Sequence, residues 1–415
     1  MQLAFDTNLV DPDLIIAQGG PPHELFARWR RDDPVHWNPP PAPGSYPPTP
    51  EGGRMDKGFW VLTRHADVVA VSMDQALFSS HTGSPVIWEM PPERLAIQQT
   101  GLMGMPMDRH AKVKRLIMPP FAGRLIDAFA PEIARVADEI VDGIARRDSC
   151  EFIFDVAARL PVYTFCALMG IADADREQVF QLGNALADVE SSAAADSGAM
   201  FQLFAIAAQL TEEKRAVPDG SIMSAYVNTE VNGEQLSADE IAMFFLTMAI
   251  AGHETTRGTA GHFIRLMAEH PDQCALLKSD VARFLPNAID EVLRVAPPVM
   301  QFRRTATRDT ELGGKSICEG DKLYLAYAAA NRDPAVCEDP DRFDITRANA
   351  KRHLSFGTGP HVCVGARLAT LQLKLLLERI FARIPDIAPT QTPRYLRSIW
   401  FNAIIEMPVS FTPVV

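Results

Sequence analysis

The chain reads as mainly α-helical with a small β-rich region. Three features carry that reading: helical apolar spacing through most of residues 64–295, short turn-bounded segments further on, and a globular composition of 47% hydrophobic and 22% charged residues. At 415 residues the chain is long enough to bury a substantial dry interior. Its 40 Lys and Arg against 52 Asp and Glu give a formal net charge of −12, which repels phosphate backbones and makes nucleic acid a poor partner. The six cysteines form no CxxC pair, which argues against an iron–sulfur or structural zinc site and fits a reducing compartment. The N-terminus MQLAFDTNLVDPDL has no basic stretch leading into an apolar core, and no run reaches the roughly 20 apolar residues that cross a bilayer. A soluble cytoplasmic protein with no transmembrane segment is expected.

Taken in order, residues 39–53 (PPPAPGSYPPTPEGG) lack both ladder donors and apolar periodicity and predict a Pro-rich surface loop. Phe59-Trp60-Val61-Leu62 predicts a strand, and helices follow over 125–147, 172–190, 199–215 and 237–270. The last of these opens on Ser237-Ala-Asp-Glu240, a capping-box spacing, with Leu236 and Ile241 placed as a hydrophobic staple. Its apolar run is interrupted by Glu254, Thr255 and Thr256. Such an insert is either locally satisfied by capping or internal hydrogen bonds, or it borders a reaction cavity. Small peripheral strands are expected at 322–328 and 404–408, between turns such as Gly313-Gly314, Asp333-Pro334 and Asp339-Pro340, with another apolar helix at 363–381. No repeat or compositional break divides the chain, so a single domain over 1–415 is expected.

Near the end of the chain, Phe356-Gly-Thr-Gly-Pro-His-Val-Cys-Val-Gly365 sets one cysteine after a glycine-rich turn and just before a helix. Glycines permit the tight path, and helix-end amides favour a thiolate. This string resembles the haem-binding loop of the cytochrome P450 family at Phe356, Gly357, Gly359, His361, Cys363 and Gly365. The resemblance implies the triangular, mostly helical P450 fold and a haem b (iron protoporphyrin IX). It gives Cys363 as the axial metal ligand, Phe356 beside the sulfur and His361 at a propionate. An axial thiolate donates electron density to iron and favours O–O cleavage over oxygen storage.

Three distant patterns join it. Glu291-Val-Leu-Arg294 is similar to the family's ExxR pair, which is structural and is joined by a meander arginine; the resemblance suggests Arg342, in Pro340-Asp-Arg342-Phe343. Ala251-Gly-His-Glu-Thr255 resembles the oxygen-activation motif, with Gly252 leaving room for dioxygen, Thr255 hydrogen-bonding it and Glu254 relaying protons. His110 with Lys114 resembles the helix crossing the haem edge, Lys114 standing where arginine is commoner, so that charge is kept and the bidentate fork is lost. Arg304 matches the family's other propionate arginine, with Arg303 as competitor.

The resemblance implies insertion of one atom of O2 into a C–H bond of a hydrophobic substrate. No GxGxxG marks a nicotinamide or flavin domain, so the two electrons are expected from separate redox proteins; an acidic ferredoxin with its own NAD(P)H-dependent ferredoxin reductase would match a basic docking patch. Lys112, Lys114, Arg115, Lys351, Arg352 and Arg367 are candidates for that patch. Pocket candidates are Trp88, Met90, Leu102, Met103, Phe244, Met248, Val299, Met300 and Phe401, large and adaptable surfaces that suit a terpenoid or steroid-like molecule; Gln301 and Asn402 are candidates to orient an oxygen function. A peroxide-dependent haem-thiolate oxygenase and a noncatalytic haem sensor or carrier are the alternatives.

Overall fold

In a computed structural model, residues 3–11, 13–42, 53–121, 123–187, 198–230 and 233–414 are described. Most of the Pro-rich segment 39–53 and the end of the helix expected at 172–190 lie outside them. The capping box forms as its spacing requires: Ser237 Oγ accepts from Glu240 N at 3.2 Å, and Glu240 Oε2 accepts from Ser237 N at 3.0 Å. From that start one helix runs unbroken over Ala238–Glu269, 32 residues through the middle of the core. It packs against Arg159–Met169, Ala199–Ala216, Val281–Val295 and Ala366–Arg383. The helix expected at 125–147 is split into Gly123–Ala128 and Ala130–Ala145, the second carrying Pro131 in its first turn, where a missing N–H costs nothing.

The strand expected at 322–328 is central rather than peripheral. A five-stranded sheet runs Val35–Asn38, Phe59–Leu62, Lys322–Ala326, Gln301–Ala306, Phe78–Ser79. Lys322–Ala326 is buried along its whole length and is followed at once by a short helical turn, Tyr327–Ala330. One face of this sheet carries Phe59, Val61 and Tyr324 against Trp29, Ile87 and Trp88, and the other carries Leu62, Leu323 and Leu325 against Val68, Val71 and Phe78.

The helix Val281–Val295 holds the ion pair read from the sequence. Arg294 donates to both carboxylate oxygens of Glu291, at 2.7 and 2.8 Å, and both side chains are buried. The third member is Arg347 and not Arg342. Arg347 Nε donates to Glu291 Oε1 at 3.1 Å, whereas the Arg342 side chain is 63% exposed and only its carbonyl takes part, accepting from Arg294 at 3.1 Å. The chain turns at Asp344–Arg347 and so brings the later arginine back over the carboxylate. Further donations run from Arg294 to the Pro340 and Asn331 carbonyls and from Arg347 to those of Glu338, Asp339 and Arg342.

Removing one member of a buried, hydrogen-bonded charge set leaves the others uncompensated, at about 3–5 kcal/mol. Arg347→Ala is therefore expected to lower the thermal unfolding midpoint sharply and to reduce haem retention, while Arg342→Ala, which keeps its carbonyl, shifts stability by no more than about 0.5 kcal/mol. Equal losses in the two variants would refute the reassignment.

Candidate functional site

The cysteine loop is suspended from that ion set. Asn331, whose carbonyl accepts from Arg294, donates through Nδ2 to Ser355 Oγ at 2.9 Å and accepts from Leu354 N at 2.6 Å; Ser355 Oγ in turn donates to Leu293 O. Phe356 then begins the loop, and its carbonyl accepts from Cys363 N at 2.8 Å, closing it. Gly357 and Gly359 have φ of +68° and +72°, a region that disfavours a Cβ, and a Cβ at Gly359 would sit 2.8 Å from Ser72 O on the helix His65–Met73.

Cys363 is exposed at its surface yet closely surrounded by protein atoms. Burial pushes its thiol up, against the opposing pull of the Gly365 N–H, the Lys114 ammonium and the Ala366 N–H. These opposing groups stabilise a thiolate once a metal replaces the proton.

Beside the loop stands a cluster of nitrogen-bearing side chains. The His110 and His361 rings lie 4.3 Å apart, Lys114 donates to the Pro360 carbonyl, and Ser80 Oγ is 2.9 Å from His361 Nε2. Burial, with Lys114 and Arg304 adding to it, holds the His110 imidazole down to about 4. Burial, then Arg304, His110 and Lys114, holds His361 down to about 2. Arg304 is itself buried, and its Nε has no partner among the described residues. Among the described residues no carboxylate contributes to any of these environments. Such a desolvated, acid-free set of donors fits the propionate edge of a haem. Ser80 was not found from the sequence, since a lone serine in a polar loop carries no signal.

Strand alternation puts the two arginines on opposite faces. Arg304 turns toward His361, whereas Arg303 points to the other face, donating to Thr305 Oγ1 at 3.1 Å and lying against Gly83 and Glu89. Residues 247–252 and Thr255 of the long helix are accessible to differing degrees, and Thr247, Met248, Ala251, Gly252 and Thr255 among them share one face as a stripe. Thr255 Oγ1 donates to Ala251 O at 2.7 Å, which leaves its lone pairs free, and a Cβ at Gly252 would meet nothing within 4 Å. Glu254 lies on another flank. It is fully buried, accepts from Arg257 at 2.5 Å, and has His253 Nδ1 at 3.9 Å; burial raises its carboxyl despite Arg257.

Among the apolar candidates, Met248 lies on the stripe, Leu102 packs on the main core, and Val299 and Phe401 form a bridge in a cluster with Leu396 and Ala403. Met300, buried, donates to Trp400 O; Trp88 is buried beside a cluster that Met90 packs against, and Met103 is partly accessible. Phe244 belongs to the core instead, its ring edge-on to Tyr226 at 4.7 Å and Phe121 at 6.3 Å, because those rings cover the helix there. His262 Nε2 lies 3.0 Å from the backbone carbonyl of Asn402, whose buried side-chain Oδ1 has no hydrogen-bond partner among the described residues. The basic patch is smaller than expected: Lys112 is paired with Glu234 and Arg367 with Asp127, leaving Arg115, Lys351 and Arg352 exposed.

Comparison with known proteins places the chain in context. Residues 199–384 match the family model described as Cytochrome P450. The chain is similar to a steroid C26-monooxygenase of Rhodococcus jostii (33% identity, over 97% of this chain and 84% of the relative) and to a linalool 8-monooxygenase of Pseudomonas putida (32%, over 98% and 99%). Its fold is similar to that of the Mycobacterium marinum cytochrome P450 CYP268A2 in complex with pseudoionone, with a TM-score of 0.85 and 33% identity over 98% of this chain and 97% of that one.

The long helix also sets an acid limit on the fold. Burial, aided by Arg257 and Arg265 respectively, holds His253 and His262 down to about 3. An unfolded histidine titrates near about 6.5, so between those values the unfolded chain binds the extra protons; stability is retained above that range and lost as pH falls through it. Urea unfolding should show the midpoint dropping below about pH 6.5, and His262→Asn should flatten the slope by about 1.4 kcal/mol per pH unit. An unchanged slope in the variant would contradict this account.

Proposed function

The chain belongs to the cytochrome P450 family, and on that premise we propose that it hydroxylates a hydrophobic terpenoid or steroid-like substrate with electrons from a separate acidic ferredoxin. It is a haem-thiolate monooxygenase, and its cofactor is haem b ligated by Cys363. When bound, the haem supplies activation of O2 for insertion of one oxygen atom into a C–H bond, the other leaving as water.

The chain's own residues prepare that chemistry. The Gly365 and Ala366 amides and Lys114 hold the charge of the Cys363 sulfur, while His110, His361, Lys114 and Arg304 would hold the propionates. Thr255, its proton committed to Ala251 O, offers lone pairs toward the stripe and orients a proton donor there. Glu254, tied to Arg257, must loosen that pair to exchange a proton with the Thr255 side; its buried carboxyl, raised toward the neutral form, is suited to do so.

The observation that carries the substrate reading is the uncharged character of the accessible stripe and its flanking segments: Met248, Ala251 and Gly252 with Val299, Met300 and Phe401. A charged small acid would find no partner on them. The names of the similar enzymes, linalool 8-monooxygenase and steroid C26-monooxygenase, and the pseudoionone complex support the same class. For the electron donor, exposed Lys351 and Arg352 sit close to the cysteine loop, with Met73, 57% exposed, beside Gly359. A basic rim around an apolar centre suits an acidic ferredoxin.

Two measurements test this reading. Reduced, carbonyl-bound wild type should show the strongly red-shifted Soret band of a thiolate ligand, lost in Cys363→Ser, and the ferric enzyme should shift spin state on titration with linalool or a steroid but not with benzoate. A response to benzoate alone would overturn the substrate class. Arg352→Glu should slow ferredoxin-driven reduction several-fold and weaken its salt dependence, with a smaller effect for Lys112→Glu, whose charge Glu234 already offsets. Unchanged rates in Arg352→Glu and Arg115→Glu would sink the docking face.

A further inference from the structure

Three segments converge beside one end of the sheet. Arg303 N donates to Pro85 O at 2.8 Å and Met300 N to Trp400 O at 2.9 Å, so residues 300–303 are flanked by 85–88 and by 399–401. The Trp88 and Trp400 indoles meet edge-on, centroids 5.9 Å apart and planes at 82°. Gln301 is fully buried, and neither its Nε2 nor its Oε1 has a partner among the described residues. The buried Nε1 atoms of Trp88 and Trp400 have none either.

Unpaired buried polar atoms are costly and rare, so several on adjoining segments call for a group that satisfies them. Their chemistry says which kind. An indole N–H only donates and an amide nitrogen donates twice, so four N–H donors stand against the oxygens Gln301 Oε1 and, on the flanking segment, Asn402 Oδ1; donors outnumber acceptor atoms and the set seeks an acceptor. The nearby cations are already engaged: Arg303 donates to Thr305 Oγ1, and Lys322 pairs with Glu89 at 2.6 Å and donates to Ile87 O. With Val299, Met300, Ile399 and Phe401 around it, the locus suits a neutral oxygen rather than a carboxylate.

Resting on the reading that the substrate is terpenoid or steroid-like, we propose that Trp88, Trp400 and Gln301 form a polar subsite that binds a ketone oxygen of that substrate. The two lone pairs of a carbonyl take two of these donors, and the apolar skeleton extends from that anchor. Recognition of this kind separates a ketone from its hydrocarbon analogue by leaving donors unpaired in the wrong complex.

The test is a spin-state titration of the purified holoenzyme with two matched pairs: pseudoionone and its deoxygenated hydrocarbon, and cholest-4-en-3-one and cholest-4-ene. At least one ketone is expected to bind about 10-fold or more tightly than its hydrocarbon. In Trp88→Phe and in Gln301→Leu, both retaining the red-shifted carbonyl band, the ratio should fall to about 2–3-fold. Equal affinities within both pairs in wild type, as when water fills the subsite, would overturn the proposal alone. A ratio that survives in both variants would do the same. A failure of all four compounds to shift the spin state would overturn the substrate reading and this proposal with it.

Discussion

Everything at the cysteine depends on the carboxylate of Glu291. It is fully buried and takes both forks of Arg294, the Nε of Arg347 and the backbone N–H of Asp344. A buried charge set of this kind adds little net stability over an apolar core, because desolvation offsets most of the attraction. What it supplies is position. Both guanidinium groups spend their remaining donors on carbonyls between Asn331 and Arg342, so an irregular stretch without ladder partners is held as firmly as a helix end. Asn331 passes that rigidity to Leu354 and Ser355, and the loop carrying Cys363 starts one residue later.

The second constraint is electrostatic. His110, His361, Lys114 and Arg304 are brought together with no carboxylate among the described residues, and burial, with the neighbouring cations adding to it, drives the two imidazoles to give up their charge. An arrangement that disfavours its own cations is poor for an isolated chain and good for one that receives a dianionic edge, because the ligand's charge then supplies what the protein omits. Binding and folding are thereby linked, and the loop, the crossing helix Met107–Phe121 and the strand Gln301–Ala306 are drawn to a common point.

Much of this was legible in the sequence because it rests on local spacing. Glu291 and Arg294 share a helical face at i and i+3, Ser237 and Glu240 form a capping box by position alone, and the glycines at 357 and 359 announce a path that other residues resist. What was not legible depends on where the chain returns. Arg342 and Arg347 are both plausible in one dimension, and only the turn between them decides which reaches Glu291. Phe244 sits on an apolar helix face, but its neighbours come from residues more than a hundred positions earlier and eighteen earlier in the chain, Phe121 and Tyr226. Glu254 is next to Thr255 in sequence, yet adjacent residues on a helix diverge by about 100°, and Arg257 at i+3 holds it, so a proton it passes must first leave that pair. That last pairing was available from spacing, the same rule that identified Glu291 with Arg294.

One short strand shows how closely different tasks are spaced. In Gln301–Ala306, alternation sends Arg304 toward the His361 cluster and Gln301, Arg303 and Thr305 to the opposite face, where segment 85–89 is fastened by the Pro85 carbonyl, Lys322 and Glu89. A one-residue slip of register would exchange the faces, directing Arg303 toward the nitrogen cluster and burying Phe302 and Arg304 against Ile87 and Glu89. The strand is pinned against such a slip on both sides, by antiparallel pairing of Gln301 through Thr305 with Lys322–Ala326 and by the short pairing of Thr305 and Ala306 with Phe78–Ser79. The nitrogen cluster and the segment 85–89 therefore share one backbone constraint, so the geometry that turns Arg304 toward His361 also fixes the wall on the opposite face.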